Sequence, residues 1–315
     1  MRPVFIGGAS RSGTTLLGAM LGMGRDCITV PESQFKIDIL RSLERGPGAI
    51  DSVRVLDMLI AHRRFRIWSL ALEAAAIPRE SIGSSYPRLL EWAVGRYGEK
   101  VGKADCGIWI DHTPENIKYA TTLLDLFPEA VMIHMVRDGR AVAASIMPLD
   151  WGPNTIVGAA RDWVESIGHG LAVECALKSK CIRISYESLV TAPEDTLRAV
   201  CRHISVEYQP CMVEARGFKV PEYSAAQHSL IGARPDPARV NSWKKELSRR
   251  EIEIFEGLAG DILAYFGYGM EFGTRARPPT GRELFACQVR ELFETWCLNR
   301  FRFHRRTRRA LRGGG

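Results

Sequence analysis

Hydrophobic and polar positions along this chain fall into two kinds of block. Short apolar runs, bounded by glycine, proline or charge, have the length of buried strands: "PVFIGG" from Pro3, "CGIWI" at Cys106–Ile110, "VMIHMV" at Val131–Val136 and "CIRIS" at Cys181–Ser185. Longer stretches with helical character separate them. "TTLLGAMLG" follows the first run, and Glu115–Leu126, Gly139–Ile146, Thr155–Leu177 and Glu194–His203 flank the others. Strands that alternate with helices imply an α/β fold of three layers, a mainly parallel sheet covered on both faces. Between Gln34 and Tyr97 the pattern is mostly helical, with breaks at "RGPGA" and "SIGSSYP". That predicts a helical insertion over about 34–100, between the first two runs, placed to act as a lid. Phe218–Val240, rich in proline, glycine and alanine, reads as a long loop, and loops of that length often carry function.

The C-terminal pattern is different. "RELFACQVRELFETWCLNRFRFHRRTRR" sets Phe285, Val289, Leu292 and Trp296 on one helical face, and an Arg–Phe alternation and an arginine run follow. The chain therefore divides into a domain over 1–275 and a C-terminal helix with a basic tail over 276–315. Three readings stay open for the tail segment: a helix docked on the core, a helix lying on an anionic membrane surface, or a nucleic-acid contact. No recognition module accompanies the basic run, which disfavours nucleic acid.

Composition changes this picture only at that end. The 315 residues are 46% hydrophobic and 25% charged, ordinary for a globular protein. The formal net charge is +7, and seven arginines with no acid lie between Arg300 and Arg312, so the rest of the chain is balanced. No apolar run is long enough to span a bilayer, and a strand starting at Pro3 leaves no space for a signal peptide. The expected location is the cytoplasm, with peripheral contact at the inner membrane face through the basic segment. The eight cysteines form no C-x-x-C pair, so free thiols are expected rather than a zinc site.

The chemistry concentrates after the first strand. Gly8-Ala9-Ser10-Arg11-Ser12-Gly13-Thr14-Thr15 has the glycine spacing of a phosphate-binding loop, G-x-x-x-x-G. Such glycines let backbone N–H groups close around phosphate oxygens at a helix N-terminus. The lysine that would reach the β- and γ-phosphates is absent, and Thr14 stands in its place. Arg11 instead puts a cation beside a single phosphate. The alternative reading is an ordinary glycine-rich turn. A second motif, "HMVRDGRAVAAS", runs from strand into helix, with Arg137 at the strand end and Ser145 in the helix. A strand-end arginine before a helix start suits an anion. Alone, it reads more simply as a surface turn in which Arg137 pairs with Asp138.

Together the two motifs resemble those of sulfotransferases that use 3′-phosphoadenosine 5′-phosphosulfate (PAPS). "GGASRSGTTLL" is similar to their 5′-phosphosulfate loop and "VRDGRAVAAS" to their 3′-phosphate motif. "DHTPEN", "SYESLV" and "RVNSWKKELS" resemble further segments, so the likeness runs from about Pro3 to Leu247. Within the family it is strongest to tyrosylprotein sulfotransferases and bacterial relatives, which carry arginine in the loop and a glutamate in a setting like "VPESQF". The resemblance implies sulfuryl transfer to an acceptor hydroxyl on a glycan, lipid-linked or small-molecule alcohol, or tyrosine. It implies Glu32 as catalytic base, and Arg11 stabilising the leaving group. Ser12, Gly13, Thr14 and Thr15 would bind the 5′-phosphate, and Arg137 and Ser145 the 3′-phosphate. Tyr186 would border the nucleotide, and Arg239 through Lys244 would close over it, with no metal required.

One departure stands out. The family's middle motif has lysine where this chain has His112. A histidine touches sulfuryl oxygens as a cation when protonated, or donates from one neutral ring nitrogen, and it is also a possible base in place of Glu32. Asp111 is a possible orienting partner, although neighbours at a strand end often point apart. Two other functions compete: a P-loop kinase or NTPase, and a non-catalytic protein binding nucleotide or anionic surfaces. Oligomeric state is not legible in the sequence.

Overall fold

Each apolar run becomes a strand of one parallel sheet in the computed structural model, which describes residues 1–43, 50–78, 82–220, 231–294 and 299. The elements are β1 (Arg2–Gly8), α1 (Thr14–Leu21), β2 (Cys27–Val30), α2 (Phe35–Ser42), α3 (Ser52–Ala61), α4 (Tyr86–Val101), β3 (Ile108–Asp111), α5 (Ala120–Leu126), β4 (Val131–Val136), α6 (Gly139–Ile146), α7 (Ile156–Leu177), β5 (Cys181–Ser185), α8 (Tyr186–Thr191), α9 (Pro193–His203), α10 (Arg249–Tyr265) and α11 (Gly281–Phe293). The sheet order is β2-β3-β1-β4-β5, parallel throughout.

β2 is the strand that the apolar runs do not reveal. Its four residues, Cys-Ile-Thr-Val, form the sheet edge by pairing with β3 from Cys27↔Ile108 to Val30↔Asp111. Glu115–Leu126 also differs from the single helix expected. Pro114–Tyr119 is a 3₁₀ segment, and the α-helix begins only at Ala120.

Strand alternation divides the core. Val4, Ile6, Ile108, Ile110, Ile133 and Met135 face one layer, with α1 and α9 above them. Phe5, Ile28, Val30, Trp109 and Met132 face the other, where the insertion supplies Phe35, Phe65, Trp68 and Tyr86. Phe35 meets Phe65 and Trp68 edge-on, with centroids 5.1 and 5.4 Å apart. The insertion is thus built into the core of that layer. The long loop and the tail lie partly or wholly outside the described residues, which include neither Trp296 nor Arg300–Arg312.

Candidate active site

Parallel strands put all their C-terminal ends on one edge of the sheet, where loops line a crevice. Five of the sequence motifs issue from that edge, and "RVNSWKKELS", which follows no strand, does not. The glycine-rich loop leaves β1, and Glu32 follows β2. His112 comes directly after β3, Arg137 after β4 and Tyr186 after β5. β1 has β3 on one side and β4 on the other, so its loop sits where the chain changes sides.

Gly13 caps α1 in the left-handed region, with φ 95°, and no side chain caps the helix. The first-turn N–H groups therefore lack intrahelical acceptors and present the positive end of the helix. Glycine is required at this position: a Cβ would lie 2.7 Å from Tyr186 Cδ2. The Ser12 hydroxyl is fully buried and has no hydrogen-bond partner. Leaving such a group unpaired is costly, so a ligand oxygen is its natural partner. Thr14 and Thr15 are buried beside it.

The fold joins the two phosphate motifs. Arg11 Nε donates to Ser145 Oγ at 3.1 Å, and an Arg137 Nη donates to the Arg11 carbonyl at 2.9 Å. The Arg137 guanidinium lies 4.1 Å from the Tyr186 ring centroid, and its Nε is buried without a partner. The Arg137–Asp138 surface pair does not form. Asp138 is taken by the buried Arg140 at 2.7 Å, which also bonds Glu256 at 2.6 Å and covers the Trp243 ring. Arg140 thereby pins α6 to α10, and Arg137 stays with the loop. Lys244, by contrast, is paired with Glu271 at 2.6 Å, and Arg239 is exposed. Among the described residues, neither makes a hydrogen bond to residues 8–15.

Glu32 does not cap α2, whose N-cap is Gln34. Its carboxylate accepts from Gln34 Nε2 at 2.9 Å and lies 3.8 Å from an Arg64 Nη. Both partners line a cavity of about 370 Å³ with Lys36, Asp38, Glu115 and Tyr119 among its walls. The segment carrying Glu32 is held by a buried network. Lys36 Nζ is 3.0 Å from Asp111 and 2.9 Å from Ser33 Oγ, which itself donates to Asp111. Thr113 Oγ1 donates to Asp111 at 2.7 Å and accepts from the Ser33 N–H at 2.8 Å. Asn116 Nδ2 joins Asp111 to the Ile6 carbonyl of β1.

Asp111 and His112 point to opposite faces. His112 is 2% exposed, packed beside Gly18 of α1 and against Phe218 at 4.9 Å, with neither ring nitrogen hydrogen-bonded. Asp111 therefore does not orient the imidazole.

The charges act on one another. Burial, and next the charge of Arg137, lower the Arg11 pKa, while Glu32 acts in the opposite sense. Burial lowers His112 too, against Glu32 and Asp111, so its neutral form is favoured. Burial alone would raise the Asp111 carboxyl, but Lys36, ahead of the Ser33 and Thr113 hydrogen bonds, holds it at about 2. Along the cavity wall, partial desolvation of Glu115 and then the Glu32 charge raise its pKa.

Lys36, Ser33 and Asn116 are the residues that the sequence did not single out. A lysine in an amphipathic helix reads as surface, and only the partner Asp111, remote in sequence, explains its burial.

Residues 3–210 match the profile of the sulfotransferase family, and the chain belongs to that family. It is 27% identical over 224 residues to the protein-tyrosine sulfotransferase of Drosophila melanogaster, covering 68% of this chain and 40% of that protein. Over 300 residues it is 25% identical to protein-tyrosine sulfotransferase 1 of Danio rerio, covering 88% and 74%. A third relative, nodulation protein NoeE of Sinorhizobium fredii, is 26% identical over 328 residues, covering 93% and 72%. The chain thus spans less than half of the fly protein and about three-quarters of the zebrafish one. The solved sulfotransferase domain of the Synechococcus PCC 7002 olefin synthase shares the fold, with TM-score 0.56, 19% identity and coverage of 79% of this chain and 89% of its own. The sulfotransferase domain of the curacin biosynthetic pathway also has TM-score 0.56, at 17% identity, covering 86% and 99%.

Proposed function

We propose that this chain transfers a sulfuryl group from PAPS to an acceptor hydroxyl and releases 3′-phosphoadenosine 5′-phosphate. The observation that carries this reading is the meeting of Arg11, Arg137 and Ser145 at the N-terminus of α1, beside two buried polar atoms without partners, Ser12 Oγ and Arg137 Nε. Those orphaned groups fit phosphate oxygens. Ser12, Thr14, Thr15 and the first-turn amides hold the 5′-phosphate, and Arg137 with Ser145 holds the 3′-phosphate.

Glu32 takes the acceptor proton. The acceptor oxygen then bonds to sulfur as the bond from sulfur to the 5′-phosphate oxygen breaks. Arg11 and the loop amides stabilise the negative charge that the leaving oxygen gains. Glu32 is preferred to His112 as base because its carboxylate bonds Gln34 and lies beside Arg64, two residues that line the polar cavity, whereas the imidazole is enclosed by α1 and Phe218. The charged cavity walls suit a polar acceptor such as a glycan or a tyrosine in a polar setting.

Thermal stabilisation tests the donor: 3′-phosphoadenosine 5′-phosphate should raise Tm and ATP–Mg²⁺ should not. Glu32→Gln should keep that shift yet lower transfer of labelled sulfate by about 10²–10⁴-fold. Protection by ATP–Mg²⁺ alone would refute the assignment.

A further inference from the structure

The C-terminal helix α11 is inside out. Its inward strip, Glu283, Leu284, Cys287 and Glu291, is half polar, and it is the strip that docks. Glu291 accepts from Thr155 Oγ1 at 2.8 Å and from the Asn154 N–H at 3.0 Å, at the start of α7. Glu283 is bound by Arg250 of α10 through two bonds of 2.8 Å, and with Thr280 it closes a capping box. No residue of the helix is buried. The outward strip is apolar: Phe285 is 68% exposed, Val289 50%, Leu292 60% and Phe293 56%.

These four side chains recur at i, i+4, i+7 and i+8 and so form one continuous stripe on a helix that its other face holds in place. A rigid scaffold rarely displays such a stripe without a surface to receive it. Charge identifies that surface. Arg282 and Arg290 lie exposed on the same helix, and the sequence that follows brings seven arginines with no acid between Arg300 and Arg312, two phenylalanines interleaved. A second copy of the chain would oppose two such arginine runs, whereas an anionic lipid surface accepts both the apolar stripe and the charge.

We propose that α11 is a peripheral membrane contact, which lays Phe285, Val289, Leu292 and Phe293 into the interface of an anionic leaflet, the positive charge of the sequence that follows adding to the attraction. Among the described residues no helix is long and apolar enough to cross a membrane, so the contact is interfacial. This assignment is independent of the donor and acceptor.

Co-sedimentation of the full chain with vesicles tests it. Binding should be strong to vesicles of phosphatidylcholine with about 30% phosphatidylglycerol and at least tenfold weaker to phosphatidylcholine alone. The double variant F285D/L292D should lose at least tenfold in binding to the anionic vesicles while melting at the wild-type temperature, since both side chains are exposed. Replacing the seven arginines by glutamine should weaken binding and abolish its dependence on salt. Wild-type binding by F285D/L292D would overturn the proposal. So would a wild-type chain that ignores vesicles and dimerises through this stripe, as read by light scattering.

Discussion

Two helices of this protein were built on opposite terms. All eight residues of α1 are buried, two threonines included, and its N-terminus faces the crevice with no capping side chain. In α11 no residue is buried, both caps are satisfied, and its apolar face is turned outward. α1 is packed for the core while its N-terminal amides are left without a side-chain cap, as the proposed anion site requires. α11 is tethered by charge while its apolar side chains are exposed. Where the exposed groups sit, on the backbone of one helix and the side chains of the other, tells what each can bind.

Substitution of matched leucines breaks the comparison most severely. Leu17→Ala in α1 should destabilise by about 2–5 kcal/mol in chemical denaturation, because a fully buried side chain leaves a cavity. Leu292→Ala in α11 should stay within about 0.5 kcal/mol. Comparable losses would mean that α11 packs against something within the chain. Arg11→Ala should lower sulfate transfer by about 10²–10³-fold, the usual cost of one donor to a developing oxyanion. F285D/L292D should leave that rate unchanged in a detergent-free assay without membranes.

The pH response separates interior from surface charge. Asp111 has a folded pKa held at about 2, below its ordinary value of 3.8. A depressed carboxyl contributes stability that is fully present above its unfolded pKa and lost as pH falls through its folded one. Unfolding free energy should therefore drop by about 2 kcal/mol between pH 4 and pH 2 on account of Asp111. Glu174, also lowered to about 2, has burial raising it and is pulled down by His134 and Arg183, so it adds to the same arm. The Glu174→Gln variant should retain the Asp111 share, and a flat profile in that variant would count against the Lys36–Asp111 pair. Glu291→Ala should cost about 1 kcal/mol, since it removes hydrogen bonds to Thr155 and Asn154. Hydrogen exchange should quicken in α11 and stay slow in α1.

Much of this was written locally. β1, β3, β4 and β5 lie where the apolar runs put them; β1, β3 and β4 are buried almost throughout, and strands buried on both faces need unbroken hydrophobic sequence, whereas β5 is a half-buried edge strand. The glycine-rich loop was legible for a related reason: a left-handed cap and a close approach to Tyr186 leave few alternatives to glycine at position 13. β2 escaped because four residues at an edge make too short a pattern. Lys36 escaped because an amphipathic helix hides which of its polar positions has a buried partner. The outward turn of α11 escaped too, since periodicity shows that Phe285, Val289 and Leu292 share a face but not whether that face meets protein or water.

The sequence by itself determined the parallel architecture and the glycine-rich loop that opens α1, since those depend on period and glycine freedom. Only the tertiary structure decided that Arg11 meets Ser145, that Arg140 rather than Arg137 takes Asp138, and that His112 and Asp111 part company across β3. The Arg11–Ser145 contact and the Arg140–Glu256 bond that holds Arg140 in place join residues distant in the chain, and the parting of His112 and Asp111 depends on which face of the sheet each side chain occupies. Local pattern carries neither kind of information, and a close-packed sheet with helices on both sides supplies both.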